Sequence, residues 1–390
     1  MRAVAVVGAS LAGVETARAL REQGFDGRLT VVGDEDRLPY DRPPLSKEYL
    51  LGKAETDDLA LLDGDDEDRL GIDWRLGVRA TGLDLRRRAV ELADGTEITA
   101  DAVVVATGAA PNRLPGTAGL EGVHVLRSLT DADALRADLA AGSPRVAVIG
   151  GSFIGAEIAS ACSVLGLETT VVEALDTPME PVLGPRVARV AAGLHGDNGV
   201  RLLRGVPVSG IRGIGRVTGV DLADGTVVPA DVVVMGIGAK PATAWLEGSG
   251  LELDDGVVCD TGLLTAAGGV AAVGDVARLR GADGTSTRPE HWTAAAQQPA
   301  VAAANLLAGT ALQEYRRAPY FWSDQYGVRL QFAGRAAPGD EVRVVEGALE
   351  EYAFAAVYER DGAVTAAAAM DRPRSFTRLR RGIGRAAAPV

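Results

Sequence analysis

Short runs of consecutive apolar residues, each closed by a glycine turn and then a helical periodicity, organise the first half of the chain. Val4-Ala5-Val6-Val7 leads into Gly-Ala-Ser-Leu-Ala-Gly (Gly8 to Gly13) and an alanine-rich helix to about Leu20. The same order recurs at Val146-Ala147-Val148-Ile149, followed by Gly-Gly-Ser-Phe-Ile-Gly (Gly150 to Gly155) and a helix to about Leu165. Each copy runs into a further apolar strand that stops at acidic residues: Leu29 to Val32 before Asp34 and Glu35, and Thr169 to Val172 before Glu173. Two more strands, Ala102 to Ala106 and Val232 to Met235, end in Thr107-Gly108 and Gly236-Ile237-Gly238. The segments before them, Arg88 to Leu92 and Val217 to Leu222, read as β-hairpins with Asp94-Gly95 and Asp224-Gly225 turns. The repeat therefore extends over a domain-sized pattern.

Strand, glycine turn, helix, strand and terminal acid together form the opening βαβ of a dinucleotide-binding fold. The glycines let the backbone turn sharply and approach a pyrophosphate, whose charge sits at the helix N-terminus. The acid accepts hydrogen bonds from an adenosine ribose. One such motif is weak evidence and two in full context are strong, although both copies carry serine (Ser10, Ser152) where the middle glycine belongs. The plainer alternative is a pair of ordinary βα turns with no ligand. Glu173 favours NADH, because a carboxylate there bonds a ribose 2′-hydroxyl and repels a 2′-phosphate, and Ala174 and Leu175 offer no arginine to reverse that choice.

A length of 390 residues implies two or three domains, and 49 glycines suit a fold with many tight turns. A net charge of −13 opposes nucleic-acid binding. Cys162 and Cys259 show neither C-x-x-C nor metal-ligand spacing, and the reducing cytosol suits them. Strand-like sequence from Ala3 leaves no room for a signal peptide, and no apolar run nears the roughly 20 residues that span a bilayer, so a soluble cytoplasmic protein is expected. After about Pro319, short β-like segments with Phe, Trp and Tyr replace the alanine-rich helices, which suggests a third, smaller domain.

Several strings are more specific: Asp-Arg-Pro-Pro-Leu-Ser-Lys (Asp41 to Lys47), Ala106-Thr107-Gly108, Gly274-Asp275, Glu290-His291-Trp292 and Phe-Trp-Ser-Asp-Gln (Phe321 to Gln325). In this order the chain resembles the ferredoxin reductases of oxygenase and haem-thiolate monooxygenase systems, a putidaredoxin-reductase-like branch of the glutathione reductase superfamily. The resemblance covers nearly the whole chain. It implies an α/β protein with two Rossmann-like dinucleotide-binding domains and a C-terminal α+β domain. The FAD domain would be 1–108 plus 236–318, the NAD domain 109–235, and 319–390 the C-terminal domain, forming one wall of the flavin site.

By the same resemblance Gly8, Ala12 and Gly13 line the FAD pyrophosphate, with Ser10 in the same cofactor-binding set, and Asp34 or Glu35 the ribose. Arg42 and Lys47 lie along the phosphates and flavin, with Val78 and Arg127 also contacting FAD. Asp275 serves the ribityl chain or pyrophosphate from a second helix N-terminus, and Trp292 sits near the ring. Ala106-Thr107-Gly108, Gly236-Ile237-Gly238, Gly274, Glu290 and His291 belong to the expected cofactor-binding set. So do Gly150, Gly151, Ser152, Phe153, Ile154, Gly155, Glu157 and Glu173 around the nicotinamide nucleotide.

The resemblance further implies that four residues serve the reaction, in the following roles. Lys47 pairs with Glu157 and so stays charged while buried. Phe153 covers the flavin and swings away for nicotinamide, and Trp322 lies against the flavin on the ferredoxin side. Each has a plainer reading: a surface lysine, a helix-packing phenylalanine, a core tryptophan. With neither cysteine in a redox motif, both read as small buried hydrophobes, so the electrons must pass outward; a flavin can release them singly, which suits a small acidic iron–sulfur ferredoxin and, through it, a haem-thiolate monooxygenase or ring-hydroxylating dioxygenase. The protein is expected as a monomer or weak homodimer. Arg372, Arg374, Arg378, Arg380, Arg381 and Arg385 could steer such a partner, although a solvated or disordered tail is the favoured reading. His124, His195 and His291 show no ligand spacing. An NADH oxidase, a rubredoxin reductase or a flavoprotein redox sensor stay open as alternatives.

Overall fold

Val4 to Val7 are at most 2% exposed, as befits a strand that is apolar on both sides and belongs to a parallel sheet covered on both faces. The computed structural model describes residues 1–386, apart from the side chain of Glu67. It divides into two units. The first comprises Met1–Asp41, Thr56–Ala110 and Lys240–Pro319. Its centre is a five-stranded parallel sheet in the order Val270–Ala272, Ala102–Val105, Ala3–Val7, Arg28–Val32 and Ile72–Arg75. Helices Leu11–Glu22 and Trp292–Ala308 pack on each other over this unit. The Asp94-Gly95 turn joins Ala89–Leu92 to Glu97–Thr99, as the hairpin signal predicts, and Ala80–Asp84 adds a third antiparallel strand.

The second unit comprises Arg42–Glu55, Pro111–Ala239 and the chain from Tyr320 onward. Its parallel sheet runs Arg201–Arg204, Thr169–Glu173, Val146–Ile149, Val232–Met235 and Val123–His124. The two parallel sheets match strand for strand except at one edge. That edge strand follows the repeat in the first unit and precedes it in the second, so the repeat is complete in space but shifted along the chain.

The same unit contains a five-stranded antiparallel sheet in the order Tyr320–Gln325, Val328–Gly334, Ala363–Met370, Ala353–Arg360 and Glu341–Ala348. One face packs Phe321, Phe332, Phe354 and Tyr358 on Leu183, Val187, Ala191 and Leu194 of helix Glu180–Asp197. The other carries helix Pro373–Arg380, whose Phe376 is buried against Ala333, Ala355, Ala367 and Ala369. Of the expectation of a solvated or disordered arginine tail, disorder is corrected while the arginines stay solvated: Pro373 opens a helix, and Phe376, Leu379 and Ile383, spaced to share one side, dock it on the sheet.

His195 lies wholly inside this unit, its Nδ1 2.7 Å from the Tyr326 hydroxyl. Burial pushes it down to about 4. The unfolded chain, titrating near pH 6.5, therefore binds this proton first, and stability is lost as pH falls from about 6.5 towards 4. Wild type should lose about 2 kcal/mol more stability than His195→Gln between pH 7 and pH 5, read from urea midpoints. Parallel losses in the two proteins would assign the acid sensitivity elsewhere.

Candidate functional site

In the first unit the strand Ala3–Val7 ends at Gly8, whose φ of +124° and close approach to Ala106 both demand glycine: a Cβ there would lie 2.1 Å from the Ala106 carbonyl oxygen. Gly13 is equally constrained, since its Cβ would meet the Gly8 oxygen at 2.0 Å. Ser10 is the N-cap of helix Leu11–Glu22 at φ −135°, an extended conformation open to any residue. That is why serine can replace the middle glycine. Gly274 (φ +75°) brings the end of another strand within van der Waals reach of Ala12, and its N–H is held by Gln298 Oε1 at 2.7 Å. The result is a backbone-walled cradle at the carboxyl ends of the strands, the usual ligand side of such sheets.

Around it, Glu35 accepts a hydrogen bond from Tyr40 at 2.5 Å, while Asp34 is more exposed and lies 3.5 Å from Arg79. Val78 packs on the core. Thr107 Oγ1 donates to the Ala242 oxygen at 2.9 Å, anchoring Ala106-Thr107-Gly108. Asp275 stands in a single 3-10 turn, Gly274–Val276, and not at the helix N-terminus expected for it, because Ala277–Arg280 continues directly as a strand. The next helix begins at Trp292, after His291 as N-cap; Trp292 Nε1 donates to Asp41 at 2.7 Å, and Glu290 pairs with Arg288.

The second unit repeats the cradle. Gly150 (φ +94°) and Gly155 would carry a Cβ 2.4 Å from the Gly236 oxygen and 2.1 Å from the Gly150 oxygen, respectively. Ser152 caps helix Phe153–Val164 at φ −66°, and its hydroxyl donates to the Gly236 oxygen at 2.9 Å, tying the turn to the neighbouring strand end. Asn112 holds the Ile237 and Gly238 oxygens from the side. Glu173 closes the turn from its strand end, accepting from Gly151 N and Leu175 N, both at 2.8 Å. A carboxylate has about four acceptor sites, so capacity remains for a ribose hydroxyl. The sheet register also sets Arg204 directly opposite Glu173, a cation invisible to a reading of the residues that follow Glu173.

The same unit gathers the chemistry-bearing strings. Pro43–Ser46 form one 3-10 turn, with prolines fixing its first residues. It presents Lys47, whose Nζ lies 2.9 Å from Glu157 Oε2 and donates to the Pro43 oxygen at 3.1 Å. Both side chains are largely buried. Glu157 also accepts from Ser46 Oγ at 2.5 Å, Ser323 Oγ at 2.7 Å and the backbone N of Asp324 at 3.3 Å. Ser46 and Ser323 lie in the strings 41–47 and 321–325, but nothing in the sequence discloses that they share a partner. Phe153 meets Phe321 with ring centroids 4.5 Å apart, and Trp322 lies beside Tyr320 at 6.0 Å. Arg42 donates to the Arg127 oxygen at 2.5 Å. Ile154 is exposed beside the turn.

Neither thiol contributes. Cys162 in helix Phe153–Val164 and Cys259 in strand Val257–Cys259 are buried and unpaired, and burial pushes each up to about 12, far from thiolate reactivity. Among the described residues no His, Cys, Asp and Glu cluster could hold a metal ion, and no helix is long and apolar enough to cross a membrane.

Two cradles whose walls a single methyl group would close, each ending in a carboxylate, fit two dinucleotides. Residues 2–299 match the pyridine nucleotide-disulphide oxidoreductase family and 320–390 the reductase C-terminal family. The chain belongs to the pyridine nucleotide-disulphide oxidoreductase family. Among its relatives, it is 39% identical to rhodocoxin reductase of Rhodococcus erythropolis over 90% of this chain and 82% of that one. It is 37% identical to the benzene 1,2-dioxygenase system ferredoxin–NAD(+) reductase subunit of Pseudomonas putida over 96% and 90%. The reductase in the covalent putidaredoxin reductase–putidaredoxin complex superposes with a TM-score of 0.91 at 34% identity, covering 97% of this chain and 92% of that one. The ferredoxin reductase for the CYP199A2 system of Rhodopseudomonas palustris gives 0.93 at 33%, covering 100% and 96%.

Proposed function

We propose that this chain is an FAD-dependent ferredoxin reductase that takes reducing equivalents from NADH and delivers them to a small iron–sulfur ferredoxin serving an oxygenase. The observation that carries the reading is a pair of dinucleotide cradles accompanied by a buried Lys47–Glu157 pair and no reactive thiol. When bound, FAD would supply a hydride acceptor able to release two electrons one at a time. The protein's part is to hold and orient. Gly8, Ala12, Gly13 and Gly274 admit the FAD pyrophosphate, with Glu35 or Asp34 for its ribose. Gly150, Gly151 and Gly155 admit that of NADH, with Glu173 for its ribose. Lys47 supplies a fixed cation to the flavin, Phe153 guards the nicotinamide face and Trp322 the face towards the acceptor. We assign 1–108 and 236–318 to the FAD domain, 109–235 to the NAD domain and 319–390 to the C-terminal domain. A cytoplasmic location is supported by the unpaired thiols and the NADH requirement.

Helix Pro373–Arg380 supports an acidic partner. Arg374, Arg378 and Arg381 are exposed and make no ion pair among the described residues, in a chain of net charge −13. Such a local field steers an anion despite unfavourable overall charge. Reversing the three charges should raise the ferredoxin half-saturation concentration about tenfold or more at low salt while NADH still reduces the flavin at the wild-type rate. Unchanged ferredoxin kinetics would remove the helix from docking.

Anaerobic titration tests the main reading: NADH should bleach the flavin band, and added ferredoxin should then reduce cytochrome c. Colourless folded protein that cannot be reconstituted with FAD would end the proposal. Glu173→Ala should lower kcat/KM for NADH about ten- to hundredfold by removing a charge-assisted hydrogen bond, and should narrow the margin over NADPH, whose 2′-phosphate Arg204 can then approach. A wild type that uses NADPH as well as NADH would overturn the cofactor preference.

A further inference from the structure

The Glu157 carboxylate is where three distant stretches of chain meet. Ser46 and Lys47 come from the proline turn, Glu157 from helix Phe153–Val164, and Ser323 and Asp324 from the strand Tyr320–Gln325. We propose that Ser323 is a positioning residue for Lys47, fixing through Glu157 where the ammonium is held during hydride transfer. This rests on the flavin reading given above.

Lys47 Nζ and Ser46 Oγ both address Oε2 of Glu157. The terminal torsion of a glutamate is broad, so a carboxylate held only there could turn and carry the lysine with it. Ser323 Oγ at 2.7 Å is the short contact on Oε1; the Asp324 N–H, at 3.3 Å, is a poor substitute. A serine hydroxyl has one proton. Ser323 spends it on Glu157 and accepts from Gln325 Nε2 at 3.0 Å, so its direction is set from behind. Ser46, Glu157, Ser323 and Gln325 are all buried, which keeps water from replacing any of these bonds.

The packing around this contact gives it reach. Phe153 and Glu157 stand four residues apart on one helix face, and Phe321 and Ser323 two apart on one strand face. The two faces meet in two rungs, Phe153 on Phe321 and Glu157 on Ser323. The helix that carries the nicotinamide cradle is thereby locked in register with the strand that carries Trp322 on its other face. Loss of the polar rung releases the carboxylate without emptying the aromatic one.

Ser323→Ala is expected to slow single-turnover flavin reduction by NADH about tenfold, with the NADH dissociation constant unchanged. Acylation of Lys47 in the oxidised holoprotein, mapped by mass spectrometry, should rise several-fold, on the order of 1 kcal/mol being removed from the hold on the ammonium. Ser323→Thr, which keeps the hydroxyl, should restore both. Ser46→Ala provides an independent route to the same carboxylate and should also slow hydride transfer. A Ser323→Ala rate equal to wild type, or a Ser323→Thr no better than Ser323→Ala, overturns the assignment. Wild-type protein that NADH cannot reduce at all would instead sink the reductase reading on which the assignment stands.

Discussion

Glu157→Ala is expected to destabilise the holoprotein by about 3–5 kcal/mol, because it strands a buried ammonium rather than merely deleting a contact. Lys47 would keep the Pro43 oxygen at 3.1 Å and lose the Glu157 counter-charge, while Ser46 and Ser323 would each lose an acceptor. Replacing both members of the pair, as in Lys47→Met with Glu157→Leu, removes the stranded charge and should recover much of that stability. Catalysis should not recover with it. If Lys47 supplies charge to the flavin, the single and the double variants alike should reduce flavin about a hundredfold more slowly, the scale on which a preorganised electrostatic contact acts. Urea unfolding and anaerobic stopped-flow on wild type, Glu157→Ala and the double variant separate the two effects. A double variant with wild-type hydride transfer would reduce the pair to a packing feature.

Gly155→Ala should be more damaging still, in excess of about 4 kcal/mol, or else folded only with a displaced turn. Its methyl would sit 2.1 Å from the Gly150 oxygen and 3.3 Å from a methyl of Val148, with backbone on the near side and therefore no rotamer to yield. Gly13→Ala faces the same wall in the first cradle, at 2.0 Å from the Gly8 oxygen. Gly196→Ala is the contrast. That glycine lies in helix Glu180–Asp197 with nothing within 4 Å of its added Cβ, so the substitution should stabilise by up to about 1 kcal/mol. Thermal unfolding and binding of each nucleotide would show the difference; a Gly155→Ala protein that binds NADH like wild type would remove the steric account of the cradle.

The glycine turns show how far local pattern carries. Gly8, Gly13, Gly150 and Gly155 are demanded by contacts within a single strand–turn–helix unit and its neighbouring strand end, so a short motif reports them faithfully. Ser10 and Ser152 looked like departures from that motif and are none, because both stand at extended backbone where a Cβ has room. The apolar runs likewise announced a parallel sheet twice over, since burial on both faces leaves no alternation to misread.

What sequence by itself determined is thus everything governed by sterics and burial over a few residues: the two cradles, their carboxylate ends, the absence of a redox cysteine pair. Tertiary structure alone decided which distant groups share an electrostatic fate. Ser323 reaches Glu157 across 166 positions, Arg204 faces Glu173 from the next strand, and the arginine-rich end folds into a helix because Phe376 finds an alanine-lined face. Such pairings depend on strand order and register, and one residue of slip would turn Ser323 or Arg204 to the opposite face of its sheet.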